Sequence, residues 1–118
     1  LLVDDDELVN DSCRALLEHL GFKVISAYDG QTALEIYSKR GDEIDLVILD
    51  QKMPGMSGLE CLKRLVLGDP ESRVVVSSGN AVSDQHREQF SNVLGILPKP
   101  YTLKDLRKML NQVSIMND

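Results

Sequence analysis

Short apolar runs recur along this chain, and each is followed by a longer stretch whose apolar residues repeat at helical spacing. The runs are 1–3 (LLV), 22–27 (FKVISA), 44–50 (IDLVILD), 73–79 (RVVVSSG) and 95–100 (GILPKP). The run 44–50 is apolar almost throughout, which suits a strand covered on both faces. The run 73–79 is rich in β-branched side chains, which fit a pleated surface. Pro98 has no N–H to give a ladder, so the fifth strand belongs at a sheet edge. Between the runs, helical spacing links Leu8, Val9, Cys13, Leu16, Leu17 and Leu20, then Ala33, Leu34, Ile36 and Tyr37. It returns in Leu103, Leu106, Met109, Leu110 and Val113, and residues 82–92 read as a polar, weakly amphipathic helix.

The ends of these helices carry their own signals. Gly21 and Gly41 close the first two, and Asp29 caps the second. Ser57 and Glu60 form a capping box for a helix running to Leu67, and Thr102 caps the last. Five strands alternating with helices define an α/β fold: a parallel sheet with helices on both faces. There is no internal repeat, low-complexity stretch or interdomain linker, so residues 1–118 are expected to form a single domain. The chain does not begin with Met, and only three residues precede its first acids. A truncated first strand and a longer parent protein are expected.

Charge and cysteine content narrow the function. The net charge of −6 makes nucleic acid or an anionic membrane a poor partner for the domain's general field. No run approaches the roughly 18 apolar residues of a membrane span, and no signal peptide is recognisable. Cys13 and Cys61 share no metal-ligand spacing with His19 or His86 and fall on apolar helix faces. They read as buried free thiols in a reducing compartment, the cytoplasm. Both histidines read as solvated, and Tyr101 as packing.

Chemistry gathers at the strand ends, where ligands bind in open parallel sheets. The first strand runs into Asp4, Asp5 and Asp6, the third ends in Asp50, the fourth in Ser77 and Ser78, and the fifth in Lys99. The second ends in Ala27 and Tyr28, with no comparable group. Were Asp4, Asp5 and Asp50 within about 5 Å of one another, each pair would cost about 3 kcal/mol at an effective dielectric near 20. A divalent cation offsets such a cost, and carboxylate oxygens, a backbone carbonyl and waters suit Mg²⁺. Lys99 and Ser78 favour an anion beside the metal. A carboxylate next to Mg²⁺ and a lysine is arranged to accept a phosphoryl group, and Asp50, alone at the end of the central strand, is the best nucleophile. Asp6 and Glu7 read instead as the cap and first turn of the first helix.

These residues resemble the receiver domains of two-component signalling, the CheY-like family, over Leu1 to about Val113. The acidic pair lies in "LVDD", the acceptor Asp50 in "VILDQKMPGMSGLE", the switch hydroxyl Ser78 in "VVVSSGN" and the lysine Lys99 in "LPKP". The resemblance implies a flavodoxin-like doubly wound sheet of order 2-1-3-4-5 with five helices. It implies phosphoryl transfer from a phosphohistidine to Asp50, with Asp50, Ser78 and Lys99 as the reacting set. Asp5 and Asp50 would hold Mg²⁺ directly, Asp4 mostly through water and Lys52 through its backbone carbonyl. A cis Lys99–Pro100 bond is implied as well. The expected partner is a sensor histidine kinase or histidine phosphotransfer domain docking beside the first helix and the loop after strand five. No nucleic-acid or membrane contact is expected, and a weak homodimer is possible in the family, although no clear apolar patch marks one here. The resemblance also implies that the domain is not an enzyme in the usual sense but a receiver that phosphorylates and dephosphorylates itself.

One departure concerns signalling. Many receivers carry an aromatic residue three positions before the lysine; here that position is Ile96, so the signal is expected to travel through Ser78 and loop movement. Lys52 and Asn80 stand where family members tune the phosphoryl lifetime, and Met53 and Met56 are expected to shape the acceptor loop. Two alternatives weigh against the receiver: a binding-only pseudo-receiver, which would lack some of these acids or the lysine, and an aspartate-based phosphohydrolase. The second usually carries an acid two residues after its nucleophile, where this chain has Lys52. An EF-hand fails on ligand spacing, and a nucleotide-binding flavodoxin relative fails for want of a Gly-rich loop after strand one. The stretches "DPESRVVVSSGN" and "GILPKPYTLKDL" look like receivers attached to hybrid sensor histidine kinases, with a free-standing or other-output response regulator as the alternative parent.

Overall fold

The computed structural model describes residues 1–51, 53, 55–78, 92–99 and 101–112, with all their side chains except those of Ser78 and Pro98. Five parallel strands, β1 (Leu2–Val3), β2 (Ser26–Ala27), β3 (Val47–Asp50), β4 (Val74–Ser78) and β5 (Val93–Pro98), form one sheet in the order β2-β1-β3-β4-β5. This is the expected doubly wound order, with β5 and its Pro98 at an edge. Among the described residues there are four helices: α1 (Glu7–His19), α2 (Gly30–Arg40), α3 (Gly58–Gly68) and α4 (Leu103–Gln112). The helix expected over 82–92 lies outside the described residues.

The strand period of two divides the core between the two faces of the sheet. Val3, Val47, Leu49, Val74 and Val76 pack with Ala33 of α2 and Cys61, Leu62 and Leu65 of α3. Leu2, Ile48, Val75 and Leu97 face the other way, onto Cys13 and Leu17 of α1 and Leu106 and Leu110 of α4. Each buried Val, Leu or Ile among these contributes roughly 1.5–3 kcal/mol relative to exposure. Both cysteines are free and buried, as expected.

Most helix ends follow the sequence signals. Asp6 accepts from the N–H groups of Leu8 and Val9, Asp29 from Thr32, and Ser57 from Glu60. Thr102 and Asp105 cap α4 reciprocally, each side chain accepting from the other's N–H. α1 ends in a Schellman pattern: Gly21 at φ +97° donates to Glu18 O, and Phe22 N donates to Leu17 O. The second glycine behaves differently. Gly41 has φ −55° and leads α2 into a short 3₁₀ turn, Gly41–Glu43, instead of stopping it in the left-handed region.

Two strands differ in extent from their apolar runs. Only Ser26 and Ala27 of the run 22–27 join the ladder, in the register Leu2↔Ser26 and Val3↔Ala27. Phe22 and Val24 pack on the α1/α4 core layer instead. β5 starts at Val93, two residues before its run, and an irregularity between Val74 and Val75 adjusts its register to β4.

Candidate functional site at the strand ends

On β1, β3 and β4 the step from core to site is two residues, which keeps each side chain on the α1/α4 face. Leu2 leads to Asp4, Ile48 to Asp50 and Val75 to Ser77. Lys99 stands two residues beyond Leu97 and reaches in from the edge strand. The strand order reverses between β1 and β3, so Asp4, Asp5 and Asp50 lie at the switch point where such sheets bind ligands.

The site is compact and buried. Asp4 is 2% exposed and Asp50 6%, whereas Asp5 is exposed. One carboxylate oxygen from each of the three lies within 4.8 Å of the others. Lys99 Nζ donates to Asp4 Oδ2 at 2.7 Å and to Asp50 Oδ1 at 3.2 Å. Asp4 Oδ1 accepts from the N–H of Asp6 at 3.0 Å. Burial pushes the Asp50 carboxyl above its ordinary value; Lys99 pulls it down and Asp4 pushes it up again. Burial works against the charge on Lys99, but hydrogen bonds and charges from Asp4 and Asp50 outweigh it and leave its pKa above the usual lysine value.

The structure therefore brings together Asp4, Asp5, Asp50 and Lys99, as the sequence suggests. Ser78 ends β4 opposite Pro98, and its side chain is not among those described. Lys52, Asn80 and Pro100 lie outside the described residues, as does His86. His19 is exposed on the last turn of α1. Ile96 is half-buried opposite Val76. Tyr101 packs on the α1/α4 layer, and burial, with Cys13 beside it, pushes its phenol well above the ordinary value. Leu8 departs from expectation: it belongs to the apolar repeat of α1 yet is 79% exposed.

Two residues that shape the site escape the sequence reading. Gly58 N donates to Gln51 O at 3.0 Å and closes the acceptor loop back onto β3. A Cβ there would collide with the carbonyl of Asp50, so only glycine allows this approach. Met53, buried, and Met56, against Gly30, line the same loop. The second residue is Asn10, fully buried, whose Nδ2 donates to the carbonyls of Asp4 and Ala27. Its signal is legible in retrospect, since Asn10, Cys13 and Leu17 form one stripe and only the first is polar.

The donor set fits a divalent cation: hard carboxylate oxygens from adjacent strands, two of them buried. A family model for the response regulator receiver domain matches residues 1–111. The chain belongs to this family of receiver domains, whose members serve two-component phosphorelays and generally bind Mg²⁺. It is 35% identical over 112 residues to the putative two-component response regulator ARR21 of Arabidopsis thaliana, covering 92% of this chain and 18% of that protein. It is 33% identical over 114 residues to the sensor kinase CckA of Brucella abortus, covering 96% of this chain and 12% of that protein. The chain thus spans less than a fifth of either curated relative. The Borrelia burgdorferi CheY, solved with CheX, BeF₃ and Mg²⁺, matches with a TM-score of 0.89 at 25% identity, covering 98% of this chain and 87% of that one.

Proposed function

We propose that this domain takes a phosphoryl group from a phosphohistidine onto Asp50 and passes the change to a partner as altered charge and loop position. One observation carries the reading: Asp50 is buried beside Asp4 and Asp5, with the Lys99 ammonium shared between Asp4 and Asp50. A carboxylate oxygen of Asp50 attacks phosphorus, the P–N bond to the donor imidazole breaks, and the imidazole leaves with the bond's electron pair. Lys99 holds the developing negative charge, and Ser78 donates its hydroxyl to a phosphoryl oxygen. Asp4, Asp5, Asp50 and the Lys52 carbonyl would hold Mg²⁺, which supplies charge neutralisation to the crowded acids and to the incoming phosphoryl oxygens.

The donor domain docks on α1 and the loop after β5. A hollow lined by Leu8, Val9, Leu16, Lys99 and Tyr101 opens there, and the outward position of Leu8 supplies an apolar contact. The match to a sensor kinase supports a hybrid sensor histidine kinase as the parent and the match to a response regulator supports a separate regulator, either acting in the cytoplasm; the flanking sequence decides between them. Among the described residues no helix is long and apolar enough to cross a membrane.

The test is intact mass after incubation with Mg²⁺ and a small acyl-phosphate donor. One phosphoryl group is expected on the wild type and none on Asp50→Asn or without Mg²⁺. A folded, Mg²⁺-binding wild type that gains nothing, and that also fails to bind beryllofluoride, overturns the reading in favour of a binding-only module.

A further inference from the structure

Asn10 is the costliest choice on the buried stripe of α1. It is fully buried, and its Oδ1 has no hydrogen-bond partner among the described residues. A buried acceptor left unpaired destabilises a fold, and a leucine between sheet and helix would avoid the loss. Its Nδ2 shows what the amide is for. It donates to Asp4 O and to Ala27 O, both at 3.1 Å. Both partners only accept, so the nitrogen must face them and the oxygen must face away. Ala27 O also accepts from Asp4 N at 3.1 Å.

Asp4 is therefore held on both sides: its N–H by the end of β2, its carbonyl by Asn10. That carbonyl belongs to the planar peptide joining Asp4 to Asp5. Holding the plane sets ψ of Asp4 and φ of Asp5, the dihedrals that govern how the two carboxylates stand relative to each other. Strand β2, which offers the site no side chain, contributes through this backbone link.

We propose that Asn10 is a positioning residue for the acidic pair, clamping the Asp4–Asp5 peptide to the end of β2 so that both carboxylates are pre-set for a divalent cation. The inference rests on the receiver reading above. It touches neither Asp50 nor Lys99, so it predicts a defect in metal affinity distinct from lost stability.

The experiment is calorimetric titration with MgCl₂ alone, with melting temperatures recorded on the same samples. Asn10→Leu removes the donor and the unpaired acceptor while keeping the branching, at a larger volume, and Asn10→Ala serves if the leucine variant fails to fold. Leu65→Ala, in the α2/α3 layer away from the acids, is the stability control. Outer-shell groups commonly change metal affinity by an order of magnitude, so the Asn10 variants should bind Mg²⁺ about tenfold more weakly while Leu65→Ala stays within about twofold of wild type. Unchanged affinity in the Asn10 variants overturns the proposal, and so does an equal loss in Leu65→Ala. A wild type that binds no Mg²⁺ overturns the receiver reading itself, and the clamp with it.

Discussion

Leu2, Ile48 and Val75 form one row across the α1/α4 face of the sheet, and Asp4, Asp50 and Ser77 form the next. No residue in either row is more than 6% exposed, so burial does not distinguish them. Their energetics are opposed. The lower row gains from leaving water. The upper row places two carboxylates out of water with a third, Asp5, close by and the Lys99 ammonium between Asp4 and Asp50. Apolar burial on the lower row and throughout the core holds the upper row together against its own electrostatics. The lesson is a division of labour one strand step apart: the lower row holds the fold, and the upper row carries charge that the fold has to bear.

Erasing the distinction should have the largest effect. Ile48→Asp extends the charged row downward among the apolar side chains of the α1/α4 face. An uncompensated buried charge costs about 3–5 kcal/mol, a large part of the roughly 5–15 kcal/mol that holds such a domain folded. Urea denaturation should show a variant at or near the unfolding threshold. A loss no larger than that of an ordinary surface change would mean the two rows are not energetically distinct.

The reverse change should stabilise. Burial and Asp4 outweigh Lys99 in setting the Asp50 carboxyl above its ordinary value, so its ionised form costs the fold stability at neutral pH. Asp50→Asn removes that charge and leaves Lys99 its bond to Asp4. With pair repulsions near 3 kcal/mol at 5 Å and partial loss of the Lys99 attraction, the expected gain is about 1–2 kcal/mol in urea at pH 7. A less stable variant would show that Lys99 wins instead. Mg²⁺ sharpens the same point from outside. At ten times its dissociation constant it should stabilise the wild type by about 1.4 kcal/mol by mass action, and thermal unfolding of Asp5→Asn at that concentration should show a smaller shift.

Much of this was open to a reader of the sequence because the upper row uses residue types that the lower row never does. Acids and a lysine directly after apolar runs are conspicuous, and the alternation that carries Leu2 to Asp4 also carries Ile48 to Asp50. What escaped was backbone work. Gly58 matters because nothing but hydrogen fits against the Asp50 carbonyl, and a glycine before a helix has many commoner explanations. Asn10 matters through carbonyls of Asp4 and Ala27, which no residue name reveals. The apolar run 22–27 is longer than β2 for a related reason: Phe22 and Val24 are apolar because they cover the core, and covering the core does not require pairing in the ladder.

The smallest and most discriminating effect is in the pH dependence of the stability gained by D50N. A carboxyl whose folded pKa lies above its unfolded value near 3.8 takes up its proton earlier in the native state as pH falls. Its contribution to stability is complete below the unfolded pKa and is lost as pH rises through the folded one. Asparagine does not titrate, so D50N should exceed the wild type most at pH 7, with the gap narrowing toward pH 4. Asp29 provides the opposite case. Hydrogen bonds from the backbone and side chain of Thr32 hold its carboxyl below the ordinary value, so its contribution is present at neutral pH and lost as pH falls through the folded pKa. Asp29→Ala should therefore lie below the wild type at pH 7 and approach it in acid. Urea denaturation of the three proteins between pH 4 and 7 separates a cap acid, which stabilises the fold when charged, from a site acid, which stabilises it when neutral. A D50N gap that widens in acid would place the folded pKa of Asp50 below the ordinary value, and Lys99 would then have balanced the upper row before any cation arrives.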